Sequence, residues 1–405
     1  MRRKLRVAII FAALLPSALA ANTQLNHLPQ PWRQDAVVQG TDETADIERY
    51  LHELTFEHSQ SSPSALENGI RGAAGSVGSR RLYLDFRFRQ DFGFNENRQG
   101  FLLDVQRSED FDGTYDRQLV GFRHQFTAAT ELWLQGDVFA DKSRSDVYFS
   151  ARHTLDNGSW IHGSWILPDI YFNSKTLSDD SFVDPAQSVF LQWHQPGDYP
   201  QTGTTASVTY SPPATFNSRE ESLIVENESV RAALSHRRHS GHWQLRAALS
   251  GEVTRREYRL DERPGRIPTR RDHFRGEAEA IYQQHRLQPG IGLHYFYLRE
   301  GGYTGRALDE IVDLHRREPT ISGHFSIALA PAVTLKPEVF LSAAAIDRSS
   351  SETGDNNHRG FIGKLGLPFK ILLSQQDNAI LTLAPTFYLH KAAFGGGNLQ
   401  LHWPM

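Results

Sequence analysis

Apolar residues occupy every second position over most of the chain after residue 80. From 82 to 89, leucine and phenylalanine alternate with tyrosine, aspartate and arginine, and from 243 to 253 small and aliphatic residues alternate with glutamine, arginine and glutamate. A period of two is that of a β-strand, because an α-helix would repeat its apolar positions about every 3.6 residues. The pattern therefore predicts β-strands with one apolar face and one polar face.

The length of these segments distinguishes two all-β architectures. Most run for roughly 8–13 residues, close to the 9–11 that a tilted strand needs to cross a bilayer, whereas strands in globular proteins average about 5–6. The alternation continues to the C-terminus without an obvious domain break. We therefore predict an all-β transmembrane antiparallel β-barrel of about 16–18 strands, with its apolar face toward lipid. A secreted β-sandwich, which would bury that face, is the alternative.

Short and long connections alternate along the predicted barrel. Short ones are predicted at 127–130, 156–158, 240–241 and 330–332, and longer polar ones at 169–186, 259–271, 300–317 and 347–359. The pair Asn157-Gly158 is a strong signal for a tight hairpin turn. Because outer-membrane barrels have short periplasmic turns and long external loops, the long set is expected outside the cell.

The N-terminus has the three parts of a secretory signal peptide. Four of the first six residues are basic, 7–15 is apolar, and 18–20 is Ala-Leu-Ala. Cleavage is expected after Ala20, and the apolar run is too short for a helix that spans a membrane.

The pattern divides the chain into a signal peptide (1–20), a periplasmic lead (21–79) and an outer-membrane barrel (80–405). A short helix is predicted over 43–57, where apolar residues recur at helical spacing at Ile47, Tyr50, Leu51 and Leu54. We expect it to cap the periplasmic mouth or pack on the barrel rim, and docking of a periplasmic partner is the alternative. The stretch 58–80, rich in serine and glycine, is either a linker or a weak first strand.

Composition excludes several classes of protein. The 405 residues include no cysteine, which rules out disulfide scaffolds, iron–sulfur proteins and thiol enzymes. A mean hydropathy of −0.48 argues against a polytopic helical membrane protein. Removal of the signal leaves 39 Lys+Arg against 47 Asp+Glu, a net charge of −8. This sign does not suit a nucleic-acid partner, and none is expected.

The C-terminal segment is an alternating strand that ends in Trp403-Pro404-Met405. With the pattern over 80–405, it resembles Gram-negative outer-membrane β-barrel proteins, which typically end in such a strand closed by an aromatic residue. Here the aromatic residue is third from the end. The resemblance implies insertion into the outer membrane by the barrel-assembly machinery, with lipid and lipopolysaccharide as neighbours. It is one of pattern, so it names no specific family.

The polar face of the predicted strands is the main functional lead. It carries charges of both signs together with aromatic residues, which suits a channel without strong selectivity for one ion. The residues predicted to line the lumen are Asp85, Arg87, Arg89, Asp104, Trp133, Arg152, Arg246, Glu252, Arg275, Glu277 and Glu279.

Other chemistry is weakly indicated. Three histidines lie within 236–242, but two arginines between them oppose a cation, so no metal site is predicted. Ser322 and His324 share one strand face, yet no G-x-S-x-G motif frames them. No catalytic residue and no cofactor is therefore predicted.

Three functions remain open from the sequence. The first is a porin-like channel or an export conduit, for small solutes or for a polymer such as an exopolysaccharide. The second is an outer-membrane hydrolase that acts on lipid or lipopolysaccharide. The third is a structural barrel with a plugged lumen.

Overall fold

A computed structural model describes most of the predicted barrel. The described ranges are 68–77, 81–110, 113–138, 145–168, 181–182, 187–199, 202–218, 223–260, 263–283, 287–304, 310–351, 354–374 and 378–404, together with Glu48, Tyr50, Leu51, Leu54 and Thr55. The predicted signal peptide and most of the predicted lead lie outside these residues.

Eighteen strands form one sheet in the described part of the chain. In chain order they are β1 (Gly69–Val77), β2 (Arg81–Phe94), β3 (Gln99–Asp110), β4 (Gly113–Gln125), β5 (Thr130–Asp137), β6 (Ser145–Thr154), β7 (Trp160–Pro168), β8 (Ser181–Phe182 and Ser188–Pro196), β9 (Gly203–Ser218), β10 (Leu223–Ser240), β11 (Trp243–Leu260), β12 (Arg263–Tyr282), β13 (Leu287–Thr304), β14 (Glu310–Ala330), β15 (Val333–Leu335 and Glu338–Ser350), β16 (Asn356–Gly366 and Phe369–Ser374), β17 (Ala379–Tyr388) and β18 (Phe394–Pro404).

The sheet closes on itself. Every strand is antiparallel to the next along the chain, and β1 pairs with both β2 and β18, so that Gly69 lies opposite Pro404 and Val77 opposite Gly396. Closure pairs the backbone N–H and C=O groups that the first and last strands of an open sheet would leave unpaired. The predicted antiparallel barrel is confirmed, at the upper end of the predicted strand number.

Prolines account for two of the interrupted strands. Pro337 separates the two pieces of β15, and Pro368 separates those of β16. A proline lacks the N–H that a central strand must donate to its neighbour. The two breaks lie side by side, where the Lys336 N–H donates to the Pro368 carbonyl oxygen over 2.8 Å.

An even strand number places Gly69 and Pro404 at the same end of the barrel, which we call the terminal rim. The other end is the far rim. The four short connections predicted from sequence all join strands at the terminal rim. The tight turn predicted at Asn157-Gly158 is present: Gly158 has a φ of 78°, and its N–H donates to the Leu155 carbonyl oxygen over 2.9 Å.

The long loops predicted at 259–271, 300–317 and 347–359 are wrong in extent. Strands β10 to β14 are 18–21 residues long and run through much of these stretches. Their outward positions change there from apolar to charged, which ends the apolar alternation without ending the strand. Cross-strand ion pairs such as Arg266–Glu257, at 2.7 Å, join the neighbouring strands instead.

The barrel begins earlier than the sequence indicates. Strand β1 lies in the stretch taken as a linker or a weak strand, ahead of the predicted start at residue 80. It is composed of glycine, alanine, serine and single larger residues, so it carries little apolar signal. All nine residues of β1 are paired with both β2 and β18, so the backbone ladder joins the two ends of the sheet.

The predicted N-terminal helix is only partly described. Tyr50, Leu51, Leu54 and Thr55 are helical, and the Thr55 hydroxyl donates to the Leu51 carbonyl oxygen over 2.9 Å. The bounds 43–57 lie outside the described residues. No helix in the described part of the chain is both long and apolar enough to cross a membrane.

Candidate functional site

The two faces of the wall differ in exposure and polarity. Leu293, Ile321 and Leu341 are neighbours on three adjacent strands and are more than half exposed. The next residues along the same strands point to the opposite face, and two of these, His294 and Ser322, are buried polar residues. A closed cylinder spreads side chains on its convex side and crowds them on its concave side. We therefore call the exposed apolar side the outward face and the other the inward face.

All eleven residues predicted to line the lumen lie on the inward face. The cross-strand register places on this face Asp85, Arg87, Arg89, Asp104, Trp133, Arg152, Arg246, Glu252, Arg275, Glu277 and Glu279. That this face borders water stays a prediction. The structure adds the pairing partners of these residues, which a single sequence does not reveal.

Ion pairs fill the inward face of β1 to β3. Arg87 holds Asp104 through two hydrogen bonds, from Nε to Oδ1 over 2.9 Å and from Nη2 to Oδ2 over 2.6 Å. Arg89 donates to the same carboxylate over 3.3 Å, and Arg71 donates to Asp85 over 3.3 Å. These side chains are largely buried and paired with one another. Their charges are therefore poorly accessible to a solute in the lumen.

Strands β5 to β7 carry a stack of aromatic and cationic groups. The Trp133 and His162 rings are nearly parallel, with centroids 5.5 Å apart. The Arg152 guanidinium lies 5.6 Å from the centroid of Trp133 and donates to Glu131 over 2.8 Å. A guanidinium over an indole face is a favourable contact that keeps both groups in place. The predicted residues Trp133 and Arg152 are thus brought together.

The described inward residues of β10 and β11 include partly exposed charged side chains. We call the inward residues Arg231–Arg237 of β10 and Arg246–Glu252 of β11 the open strip. The side chain of Arg231 is 60% exposed and donates from Nε to Glu252 over 2.8 Å. Arg246 lies 2.6 Å from Glu277, on the next strand. The open strip therefore carries both charge signs, with Arg231 opposite Glu252 and Arg237 opposite Arg246.

A row of histidines borders the open strip. His294 Nε2 is 2.8 Å from the Ser322 hydroxyl, and its Nδ1 is 3.9 Å from Glu277. His324 is 3.6 Å from Glu279. The order serine–histidine–glutamate is that of a hydrolase triad. Ser322 and His294 are nevertheless buried, and Ser322 lies in a paired strand whose N–H groups serve the sheet ladder rather than an oxyanion.

The histidines at 236–242 do not converge. His236 Nδ1 is 2.9 Å from the Thr204 hydroxyl, whereas the His239 ring packs 5.5 Å from the Tyr199 ring. Adjacent strand positions of opposite parity point to opposite faces, which separates these two rings. Within the described ranges, no group of three His, Asp or Glu side chains is arranged to hold a metal ion.

One part of the inward face is apolar. We call this region the inward apolar patch. It consists of Phe296, Leu298, Val312, Leu314, Phe340, Ala344, Ile346 and Ile362, from strands β13 to β16, in the half of the barrel toward the far rim. It is covered by Tyr50, Leu51 and Leu54, which are themselves buried. Sequence analysis missed the patch, although 343–346 (Ala-Ala-Ala-Ile) is a run with apolar residues on both faces.

The residues Glu48, Tyr50, Leu51, Leu54 and Thr55 form what we call the docked segment. The Tyr50 ring stacks on Phe296 with centroids 4.6 Å apart, and Arg275 lies over both rings. The predicted helix 43–57 lies mostly outside the described residues, so its expected position, capping the periplasmic mouth or packed on the barrel rim, stays a prediction. The described residues of this segment contact the inward apolar patch, in the half of the barrel toward the far rim.

A buried ion pair lies beside this patch. Arg316 and Glu318 have no exposed side-chain surface, and Arg316 Nη2 donates to Glu318 over 2.7 Å. The Ser342 hydroxyl donates to the other carboxylate oxygen over 2.6 Å and accepts from Thr320 over 2.9 Å. The carboxylate is thus satisfied on both oxygens. Sequence analysis did not single out this pair, because charged residues two apart on a strand occur throughout the chain.

Comparison with known proteins gives no family. No protein-family profile matches the chain, and no curated protein matches its sequence. Among solved structures, it is similar to OccK10 (OpdN) of Pseudomonas aeruginosa, with 11% identity, a TM-score of 0.43 and coverage of 83% of this chain and 97% of that chain. A BenF-like porin from Pseudomonas fluorescens Pf-5 gives 13% identity, a TM-score of 0.43 and the same coverage.

A third similar structure is OmpT of Vibrio cholerae, with 8% identity, a TM-score of 0.38 and coverage of 83% of this chain and 96% of that chain. At these values the similarities assign no activity. The strand pairing and the two faces define the class on their own: a closed β-barrel with an apolar exterior and a charged interior.

Proposed function

We propose that this chain forms an aqueous channel for small polar and charged solutes across the outer membrane of a Gram-negative bacterium. The observation that carries the proposal is the contrast across one stretch of wall. On β10 and β11, Arg231 and Glu252 remain accessible on the inward face, while the outward residues Leu234 and Leu249 are apolar and exposed. Exposed apolar surface of this extent fits lipid, and charged inward residues fit water.

The size of the barrel supports an open lumen. Strands about 4.8 Å apart and tilted by 35–45° give an 18-stranded barrel a backbone diameter of about 35 Å. Inward side chains shorten this width by several ångströms on each side and leave room for water. Barrels of 16–18 strands typically enclose an aqueous channel.

The charges suggest weak rather than absolute selectivity. The open strip carries three arginines against Glu252, and Glu277 and Glu279 border it from β12. Paired charges of both signs set up a transverse field that favours polar solutes over apolar ones. Export of a polymer stays a further possibility of the same architecture, without an observation that favours it over small solutes.

The membrane surroundings complete the proposal. The outward face places lipid against the apolar belt, and the outward charged pairs near the far rim lie at the height of the headgroups. We assign the terminal rim to the periplasm, since the short turns between strands lie there and outer-membrane barrels have short periplasmic turns. Docking of a periplasmic partner on 43–57 stays a prediction, although Tyr50, Leu51 and Leu54 are buried against the wall.

The test is single-channel recording from the purified, refolded mature chain in a planar bilayer. We expect stepwise openings of uniform size. In Arg231→Glu, the change of an accessible inward charge from positive to negative should shift the reversal potential in a salt gradient toward cation preference, with a permeability ratio altered roughly two-fold or more.

The matched control is Arg255→Glu, which makes the same charge change at an exposed outward position on the neighbouring strand. It should leave the reversal potential unchanged. A folded barrel that never conducts would exclude the channel and favour a plugged structural barrel or a hydrolase, with lipid hydrolysis as the next assay. Equal shifts in the two variants would show that the inward face does not line the conducting path.

A further inference from the structure

We propose that the docked segment is a latched constriction of the channel. It narrows the lumen near the far rim while Glu48 is paired with Lys391 and His390, and its release widens the conducting path. This inference rests on the proposed channel function, because it concerns the width of that channel.

The apolar contact explains why the segment lies on this part of the wall. Leu51 and Leu54 are almost fully buried against the inward apolar patch, and Tyr50 stacks on Phe296. Many other inward positions are polar, although Leu119, Tyr148, Ile166 and Phe190 form a second inward apolar cluster on β4 to β8. Without a cover, the eight apolar residues of the patch would face the lumen water at a cost of about 25 cal/mol for each Å² exposed.

Cations frame the same contact. Arg275 lies 5.7 Å from the Tyr50 ring centroid and 5.6 Å from that of Phe296, and Arg316 lies 5.6 Å from Phe296 on its other side. Guanidinium groups over aromatic rings add to the stacking energy and fix its orientation. The tyrosine ring is therefore bound by apolar packing and by charge together.

The latch is formed by polar contacts at the start of the segment. Lys391 Nζ donates to Glu48 Oε1 over 2.5 Å, and His390 Nε2 is 3.1 Å from the same oxygen. Both partners belong to the connection between β17 and β18, at the far rim. Lys391 also lies 3.9 Å from the Tyr388 ring centroid, which holds the ammonium group toward Glu48.

The surroundings of Glu48 make the latch depend on charge sign. Lys364, on the inward face of β16, interacts electrostatically with Glu48 in addition to Lys391 and His390. A negative charge at position 48 thus faces two lysines and a histidine, and Tyr388 supplies a hydrogen bond. A positive charge at the same position would be repelled by the Lys391 ammonium group, which lies beside Glu48.

The expected effect follows from dimensions. A helix with its side chains is about 10–12 Å wide, against a free lumen of about 25 Å once inward side chains are subtracted from the barrel diameter. The docked segment narrows the path without sealing it. Release should therefore raise single-channel conductance by roughly 1.2- to 2-fold.

A charge-swap cycle tests the latch. Conductance is recorded for the wild type, Glu48→Lys, Lys391→Glu and the double variant. Each single variant places like charges together and should raise conductance, and the double variant should return it toward the wild-type value. The exposed outward pair Arg266–Glu257 provides a matched control, whose reversal by Arg266→Glu with Glu257→Arg should change nothing.

A second measurement reports docking without relying on conduction. Because the chain has no cysteine, Leu54→Cys introduces a single thiol that a membrane-impermeant maleimide can label. Labelling of folded protein should be slow in the otherwise wild-type chain, and at least several-fold faster when Lys391→Glu is added. Electrophoresis without heating confirms that each labelled barrel is folded.

The two measurements separate the possible failures. Conducting channels with equal conductance and equal labelling across the cycle would overturn the latched constriction and leave the channel intact. Variants that differ in labelling while none conducts would overturn the channel, and with it a constriction of conducting width. Raised conductance in both single variants without recovery in the double variant would show that the Glu48–Lys391 contact is not the latch.

Acid provides an independent route to release. Burial alone would raise the pKa of Glu48, but hydrogen bonds from Lys391, Tyr388 and His390 outweigh it and hold the pKa below the ordinary value of 4.5. The stabilisation by this carboxylate is complete above the ordinary pKa and is lost as the pH falls through the lower value in the folded protein.

Conductance is therefore expected to stay constant from pH 8 to pH 5 and to rise only below pH 4.5. Glu48→Gln should show the released conductance at every pH, without the acid step. Joining Glu48→Cys to Lys391→Cys with a short bismaleimide should hold conductance low even in acid. An acid step of the same size in the crosslinked protein would place its origin elsewhere in the barrel.

Discussion

Arg316→Met is expected to destabilise the folded barrel by about 3–5 kcal/mol, since it leaves a buried carboxylate without its counter-ion. Glu318 would lose both hydrogen bonds from Arg316 and keep the one from Ser342, in a site with no exposed surface. The methionine fills most of the space beside Phe296 but cannot replace the charge. Urea unfolding of the refolded protein in detergent, followed by tryptophan fluorescence, gives the free energy of unfolding.

The double variant Arg316→Met with Glu318→Leu separates charge from packing. It removes both charges together, so much of the lost stability should return. Arg359→Met serves as the control at an exposed ion pair with Asp347, where we expect a change of at most about 1 kcal/mol. Equal losses for Arg316→Met and Arg359→Met would show that the buried pair is not specially sensitive.

Leu341→Arg is expected to destabilise the inserted barrel by about 2–4 kcal/mol, because it places a charge on the lipid side near the middle of the apolar belt. Leu341 is 53% exposed on the outward face, between Ile321 of β14 and Gly363 of β16. In water an exposed leucine would tolerate this change. The measurement is the free energy of folding into lipid vesicles.

Ser349→Arg is the matched control, on the same strand and the same face but near the far rim. Eight residues of strand separate the two sites by about 27 Å along the strand, so this arginine should lie among headgroups and water. We expect a change within about 1 kcal/mol. Similar losses at the two sites would contradict a belt of limited height, and no loss at either would contradict a lipid-facing wall.

The alternation of apolar and polar residues was enough to predict the barrel, because the two faces of each strand meet different surroundings. A strand that separates lipid from water must change polarity at every residue, and this rule places residues as distant as Asp85 and Glu279 on one face without any knowledge of their partners. The number of strands was predicted only as a range of about 16–18. Proline breaks and the small residues of β1 obscure where one strand ends and the next begins.

Contacts across the barrel lie beyond that rule. Pairing of Arg246 with Glu277, or of Arg231 with Glu252, depends on a register that strand periodicity leaves open. The inward apolar patch depends on a separate segment that covers it, so its residues look like exceptions when only the strands are considered. The long loops were predicted wrongly because strands such as β12 continue into stretches where the outward residues are charged and the apolar alternation has ended.

The closure of the barrel also constrains how the chain assembles. Neighbouring strands meet through short connections, so most of the sheet can form from contacts that are local in the chain. The contact between β1 and β18 is the exception, since it joins the two ends of the barrel and places Gly69 opposite Pro404. Contacts between residues far apart in sequence form slowly, so we expect this pairing to come late. Assembly is therefore a nearly local process with one late, long-range step, and until that step both terminal strands expose an unpaired edge to neighbouring chains.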